Sequence, residues 1–128
     1  ASGGEISRVM LAVKTVLADE EDTPTLIFDE IDTGISGITA GKVGDRLRLI
    51  GKSRQVICIT HLPHIAAAAD HHFLIRKKAE GTSVRTDVEM LDEAASVEEL
   101  ARLLGGANVT ERVMESAKEL KELAKCER

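Results

Sequence analysis

The chain has 128 residues, of which 43% are hydrophobic, so it is long enough for one domain with a real core. The formal net charge of −5 argues against a broad basic surface for nucleic acid, and the apolar runs are too short to span a bilayer. Cys58 and Cys126 lie far apart in no paired pattern, which favours a reducing cytoplasm over a disulfide framework. The chain opens without a methionine and directly in a helical pattern, so we expect it to be a piece of something larger.

The first predicted element is an α-helix that ends near Asp19. Its apolar residues recur at the spacing of a single helical stripe, namely Ile6, Val9, Met10, Val13, Val16 and Leu17. Ser2, Gly3 and Gly4 can cap the start of this helix, and Glu5 suits its first turn. A helix N-terminus with two glycines lets a phosphate approach the backbone N–H groups, although an ordinary glycine-bearing cap has the same sequence.

A short apolar run then predicts a buried strand over residues 25–28, typical of a parallel strand covered on both faces. A loop at 32–37 and a helix at 39–52 follow, and a second buried strand is predicted at 55–60. The inner face of that helix carries Val43, Leu47 and Ile50. A strand, a helix and a strand at this spacing form a βαβ crossover, so we expect parallel strands and an α/β fold with flanking helices.

The second half of the chain is predicted to contain both helices and strands. The remaining elements are a short helix at 65–69, strands at 72–76 and 83–91 around a turn at Gly81, and helices at 97–104 and 110–125. Since the two strands are separated only by a glycine-containing turn, they are expected to form a hairpin.

Polar residues follow both buried strands. Asp29 and Glu30 come after the first strand, and Thr60 and His61 end the second. In parallel α/β sheets, ligands bind beyond the carboxyl ends of the strands. There, an aspartate can hold Mg²⁺ through its hard oxygen atoms, and an adjacent glutamate can orient or deprotonate a water molecule. The alternative from this segment alone is a pair of solvated acids at a loop entrance.

Three short motifs in this order resemble those of the ATP-binding cassette ATPases. Ser2-Gly3-Gly4-Glu5 is similar to their signature motif, Asp29-Glu30 to the Walker B pair, and His61 to the switch histidine. Longer stretches resemble the RecN family of SMC-like DNA repair proteins, and together they cover nearly the whole chain. These stretches are SGGEISRVMLAVKTVLA, TLIFDEIDTGISG, QVICITHLPHIAAAADHHFLI and ELARLLGG. Departures from the family pattern are Ala1, Ser36, Ile38 and His64.

The resemblance implies that residues 1–128 form the C-terminal lobe of an ATPase head whose Walker A lobe lies upstream in the same protein. No phosphate loop of the form G-x-x-x-x-G-K-[ST] occurs in the sequence. In the nearest stretch, GISGITAGKV, Gly37 is one residue too close to Gly41-Lys42, and Val43 cannot supply the hydroxyl that binds Mg²⁺. The fragment alone is therefore expected to be inactive as an ATPase.

The resemblance also implies a role for each motif. ATP and Mg²⁺ are the expected cofactors, with Asp29 as metal ligand, Glu30 as general base and His61 as contact to the γ-phosphate. The signature residues Ser2, Gly3, Gly4 and Glu5 are expected to close on ATP held by a second head. The D-loop, expected across the dimer interface, contains Asp32, Gly34, Ser36 and Gly37.

The expected partners are the Walker A lobe, a second head in a homodimer, and DNA bound through the full-length protein. The implied process is DNA double-strand break repair and recombination, in the cytoplasm at the nucleoid and without a membrane. The residues alone are also compatible with two other kinds of site. Cys58, His61 and His64 have zinc-ligand spacing, and the Walker B pair with Asp32 could form the acidic metal site of a nuclease or topoisomerase-primase. A non-catalytic interaction module is a third alternative.

Overall fold

The computed structural model describes residues 3–126, apart from the side chains of residues 3, 4, 7 and 18–21. The elements along these residues are α1 (Gly3–Glu21), β1 (Thr25–Asp29), α2 (Gly37–Gly51), β2 (Gln55–Ile59), α3 (Pro63–Ala67), β3 (His72–Glu80), β4 (Ser83–Leu91), α4 (Glu93–Gly105) and α5 (Glu111–Cys126). None of the described helices is long and apolar enough to cross a membrane.

β1 and β2 form a parallel pair joined by the crossover helix α2. The register runs from Thr25 opposite Gln55 to Asp29 opposite Ile59. The predicted βαβ unit is therefore confirmed. α2 begins two residues earlier than predicted, because Ser36 has the extended backbone of an N-cap, with φ −88° and ψ 168°.

The first core lies between one face of this strand pair and α2. Phe28 is its largest fully buried side chain, at 1% exposure. The three residues predicted for the inner face of α2 are buried there, as the helical period requires. The members of this core are Leu11, Leu26, Phe28, Ile31, Ala40, Val43, Leu47, Ile50 and Ile65.

The opposite face of the strand pair is open. Ile27, Ile57 and Ile59 are 43% to 56% exposed, so the prediction of strands covered on both faces is wrong for the described residues. The physical reason is that one crossover helix covers one face, while the neighbouring helix α1 buries Leu11 rather than its stripe. The six stripe residues of α1 are 43% to 60% exposed.

β3 and β4 form an antiparallel hairpin, as predicted, with Gly81 in the left-handed region at φ +63°. β3 extends to Glu80, four residues beyond its predicted end, through the charged pair Lys77-Lys78. Charged residues are tolerated in this strand because the hairpin is exposed to solvent. Lys78 lies 3.1 Å from Asp87 on the facing strand.

The second core is formed by α3, α4 and α5. Its buried members are Ala66, Ala67, Leu100, Ala101 and Ala117. α4 begins at Glu93 rather than at the predicted residue 97, because the Asp92 side chain caps it by accepting a hydrogen bond from the N–H of Ala95 at 2.8 Å. α3 contributes Ile65 to the first core and the two alanines that follow to the second, so this five-residue helix joins the two cores.

Candidate functional site

The carboxyl ends of β1 and β2 form one edge of the parallel pair. Asp29 is the last residue of β1 and is in register with Ile59, the last residue of β2. Glu30 and Thr60 therefore leave the sheet side by side, and His61 follows at once. The structure thus brings the residues matched to the Walker B pair and the switch histidine to a common edge.

Glu30 has an unusual backbone conformation at this edge. Its φ of +58° lies in the left-handed region, which side chains other than glycine seldom adopt. The residue is exposed, and its carbonyl accepts a hydrogen bond from the N–H of Thr33 at 3.4 Å as the chain turns away. Left-handed non-glycine residues cluster at functional sites, because surrounding structure must hold them there. The turn presents the Glu30 carboxylate to solvent, where a water molecule can reach it.

Asp32 connects the end of β1 to the end of β2. The residue is 4% exposed, and its Oδ2 atom accepts hydrogen bonds from Thr60 Oγ1 at 2.5 Å and from the backbone N–H of His61 at 3.0 Å. The same oxygen lies 3.1 Å from His61 Nδ1. Thr60 Oγ1 in turn accepts from the N–H of Leu62 at 3.0 Å. This network fixes the first residues after β2.

The Asp32 carboxylate is charged in this setting. Burial by itself raises the pKa of Asp32, but the hydrogen bonds from Thr60 and from the His61 backbone, together with the charge of the His61 ring, hold the pKa below its usual 3.8. A charged, buried carboxylate that accepts several hydrogen bonds is a rigid acceptor. The His61 side chain itself is 73% exposed, so only one side of the ring is held by the protein.

Cys58 is a poor metal ligand in this environment. Burial, together with the negative charges of Asp32 and Asp29, raises the pKa of its thiol to about 12. The thiolate form that binds zinc is therefore strongly disfavoured. Among the described residues, no three His, Cys, Asp or Glu side chains come together as a metal-binding group, so the alternative zinc site at Cys58, His61 and His64 does not form.

The same finding removes the support for a nuclease-like acidic cluster, because Asp29, Glu30 and Asp32 do not converge as three ligands within the described part of the chain. Asp32 is turned into the protein, toward Thr60 and His61.

The predicted D-loop leads from this network into α2. Gly34 has a left-handed backbone with φ +72°. Gly34, Ser36 and Gly37 are all exposed. A Cβ atom added to Gly37 would lie 3.2 Å from Cε1 of His64, so the loop packs closely against that ring. Asp32 is the buried member of the loop. The expected contact of this loop with a second head stays a prediction.

The predicted signature motif falls at the start of α1. Ser2 lies outside the described residues, whereas the backbone of Gly3 and Gly4 opens the helix. Glu5 is exposed and is the acidic residue of the first turn, where it suits the positive end of the helix dipole. The assignment of these four residues to ATP stays a prediction.

The comparisons with known proteins identify relatives of this chain. RecN from Vibrio cholerae is 48% identical over 120 residues, which is 94% of this chain and 22% of that protein. RecN from Halalkalibacterium halodurans is 48% identical over 124 residues, which is 97% of this chain and 22% of that protein. The chain matches one segment of RecN. Bacillus subtilis RecN shows the same match at 42% identity over 94% of the chain. The resemblance to RecN found in the motifs is thereby confirmed.

The chain spans about a fifth of the length of the RecN relatives that it matches. No protein-family model matches it. A solved structure from work on the ATP-driven dimerization and DNA-stimulated activation of SMC ATPases has a TM-score of 0.65 at 23% identity, covering 84% of this chain and 65% of that one. This likeness shows the fold, and it confirms the predicted α/β class.

Two features of the site were not found from the sequence. The left-handed backbone of Glu30 has no sequence signal, because nothing in its side chain favours that conformation. The network of Asp32 with Thr60 and His61 joins residues 28 and 29 positions apart. It could have been anticipated from the predicted parallel pairing, since polar groups at adjacent strand ends need hydrogen-bond partners when buried.

Proposed function

We propose that this chain is the C-terminal lobe of an SMC-like ATPase head. With a Walker A lobe from the same polypeptide, the head hydrolyses ATP during DNA double-strand break repair and recombination. The observation that carries the proposal is the register of β1 and β2, because it places the ends of both strands, with Asp29, Glu30 and His61, at one edge. The similarity to RecN over nearly the whole chain supports the biological process.

Asp29 is the proposed ligand of Mg²⁺. Its carboxylate is exposed at the strand end, and it supplies the hard oxygen atoms that Mg²⁺ prefers. Mg²⁺ is usually held in nucleotide sites by one or two carboxylates together with phosphate oxygens and water, so a single aspartate in this lobe fits such a site. When bound, Mg²⁺ would neutralise charge on the phosphates.

Glu30 is the proposed general base. Its carboxylate stands next to Asp29 and is exposed, so it can accept a proton from a water molecule aimed at the γ-phosphate. His61 is the proposed contact to that phosphate, since its ring lies at the same edge and is largely exposed. In phosphoryl transfer, positioning and electrostatic stabilisation contribute most of the catalysis, so these three residues need a fixed mutual arrangement.

The remaining motifs are proposed to act between heads. Ser2, Gly3, Gly4 and Glu5 would close on ATP held by a second copy of the head, and the D-loop would lie at the interface of that homodimer. Closure with ATP and opening after hydrolysis would regulate DNA held by the full-length protein. A cytoplasmic site of action at the nucleoid is part of the same proposal, because the expected substrate is chromosomal DNA.

The substitution Glu30→Gln in the full-length polypeptide tests this proposal. Glutamine keeps the size of the side chain and removes its basicity, so ATP turnover should fall by about 10²- to 10⁴-fold while ATP binding persists. Heads joined by ATP should then accumulate, which size-exclusion chromatography with Mg-ATP would detect.

The matched control is Glu119→Gln on the exposed face of α5, which should keep wild-type turnover. Turnover of Glu30→Gln within a few-fold of the wild type would contradict the proposal. That result would favour the reading of the acids as solvated groups in a non-catalytic interaction module.

A further inference from the structure

We propose that Asp32 is a positioning residue for ATP hydrolysis, which holds the imidazole of His61 so that its Nε2 atom faces the nucleotide. The inference rests on the proposed function for the role of His61, and on the hydrogen-bond network alone for the geometry. It assigns to Asp32 a function within its own head, in addition to the expected position of its loop at a dimer interface.

Asp32 contacts both the backbone and the ring of His61, and we call this pair of contacts the clamp. Oδ2 of Asp32 receives the backbone N–H of His61 at 3.0 Å and lies 3.1 Å from Nδ1 of the same histidine. The backbone hydrogen bond and the close approach of Nδ1 together favour one orientation of the ring. Since Nδ1 is turned to the buried carboxylate, Nε2 is the ring nitrogen that faces outward, consistent with the 73% exposure of the side chain.

Thr60 strengthens the clamp from the other side. Its hydroxyl donates to the same Oδ2 atom at 2.5 Å, so the carboxylate cannot rotate away without loss of this hydrogen bond as well. The Thr60 hydroxyl is itself held in place, because it accepts from the N–H of Leu62 at 3.0 Å. Asp32 is 4% exposed as a residue, so little water competes for its carboxylate oxygens.

The loop that contains Asp32 does not need this side chain for its own turn. Its tight turns are closed by backbone groups, with the N–H of Thr33 donating to the Glu30 carbonyl and the N–H of Ile35 donating to the Asp32 carbonyl, both at 3.4 Å. The side chain instead reaches across to the residues that follow β2. A purely local role in the loop therefore does not account for the two hydrogen bonds to Oδ2 and the close approach of the His61 ring.

The consequence for the chemistry is a defined state of the ring. A carboxylate oxygen 3.1 Å from Nδ1 repels a lone pair on that nitrogen, so the form of the ring with the proton on Nδ1 is favoured. A histidine whose Nδ1–H is held by an acceptor presents Nε2 to its ligand, as in other sites where the second nitrogen fixes the tautomer. Nε2 can donate to a phosphate oxygen when the ring is doubly protonated, while Nδ1 stays bound to Asp32.

The first test is a double-mutant cycle in the full-length polypeptide. Asp32→Asn should lower kcat by about 10- to 100-fold, the range typical of groups that orient a histidine ligand, with KM for ATP within a few-fold. If Asp32 acts through His61, the same substitution should have little further effect on kcat in a His61→Ala background. Equal losses in both backgrounds would overturn the proposal and show a structural role.

The second test does not depend on activity. In the full-length polypeptide labelled with ¹⁵N in its histidine rings, neutral His61 should carry its proton on Nδ1, and Asp32→Asn should increase the share of the Nε2–H form. Asp87→Asn, which removes a carboxylate from the hairpin, is the matched control and should leave the His61 signals unchanged.

The outcomes separate this inference from the proposed function. A wild-type His61 with its proton on Nε2 overturns the inference even if Asp32→Asn fails to fold. An inactive Glu30→Gln together with a His61 tautomer that is independent of Asp32 keeps the proposed function and overturns the clamp. An active Glu30→Gln with a tautomer that depends on Asp32 rejects the proposed function and leaves the clamp supported.

Discussion

Nδ1 of His72 lies 2.8 Å from the hydroxyl oxygen of Ser96, and this contact joins the start of β3 to α4. Ser96 is buried, and Lys121 of α5 is buried as well. Burial lowers the pKa of His72, and the positive charge of Lys121 lowers it further, although the charge of Glu99 opposes this shift. His72 is therefore harder to protonate in the folded chain than in the unfolded one.

This pKa shift predicts a loss of stability on acidification. The ordinary value for the unfolded chain is 6.5 and the folded value is lower, so the unfolded state binds the proton more readily. The stability from neutral His72 is fully present above pH 6.5 and is lost as the pH falls through the folded pKa. Urea unfolding measured between about pH 7.5 and pH 5 should show a smaller decline in the free energy of unfolding for His72→Gln than for wild type.

The neighbouring residue supplies the control. His71 is exposed, and His71→Gln should keep the wild-type dependence of stability on pH. An unchanged slope in His72→Gln would show that other groups, rather than His72, determine the acid sensitivity in this range.

The left-handed backbone of Glu30 predicts opposite effects on stability and activity. A non-glycine residue at φ +58° destabilises the folded state by about 1–2 kcal/mol. Glycine relieves this strain, but its greater freedom in the unfolded chain offsets about 0.5–1 kcal/mol of the gain. Glu30→Gly should therefore raise the free energy of unfolding by about 0.5–1 kcal/mol while ATP turnover is lost with the carboxylate. Denaturant unfolding and a phosphate-release assay measure the two effects.

Asp22→Gly is the matched control, because Asp22 has φ +50° in the turn before β1 and no assigned role in ATP hydrolysis. It should stabilise the protein to a similar degree and retain turnover. If Glu30→Gly were destabilising, the surrounding turn would need the glutamate side chain, and the interpretation of stored strain would fail.

The second core depends on Leu100 of α4, which is fully buried. Leu100→Ala leaves a cavity between α4 and α5 and should lower the free energy of unfolding by about 2–5 kcal/mol. Leu123→Ala on the exposed side of α5 should change it by less than about 0.5 kcal/mol, since surface substitutions seldom do more. Comparable losses for the two variants would mean that Leu123 is covered in solution.

The chain by itself should bind Mg-ATP weakly and show no measurable turnover. Most of the affinity for a triphosphate comes from the backbone N–H groups and lysine of a phosphate loop, and the sequence contains no such motif. Isothermal titration and a phosphate-release assay test both points on the purified chain. Tight, stoichiometric binding with turnover would reveal a complete nucleotide site and contradict the assignment as one lobe.

The sequence predicted the elements whose signals are local. Both apolar strands and the crossover helix were found because period and composition report on neighbouring residues. The start of α4 was missed, although the Asp92 cap was a readable signal. An unbroken apolar run does not show which face of a strand is covered. The sequence therefore could not predict that Leu26 is buried while its neighbour Ile27 is exposed. The pairing of Asp32 with His61 depends on tertiary structure and has no local pattern.

The position of α3 between the two cores has a consequence for local unfolding. Ile65 belongs to one core and Ala66 and Ala67 to the other, so a helix of five residues is the shared boundary of two apolar clusters. Contiguous units of this kind open separately in native-state hydrogen exchange. Amides of α4 and α5 should thus exchange as one group and those of β1, β2 and α2 as another, with the boundary inside α3 between Ile65 and Ala66, a few residues after His61.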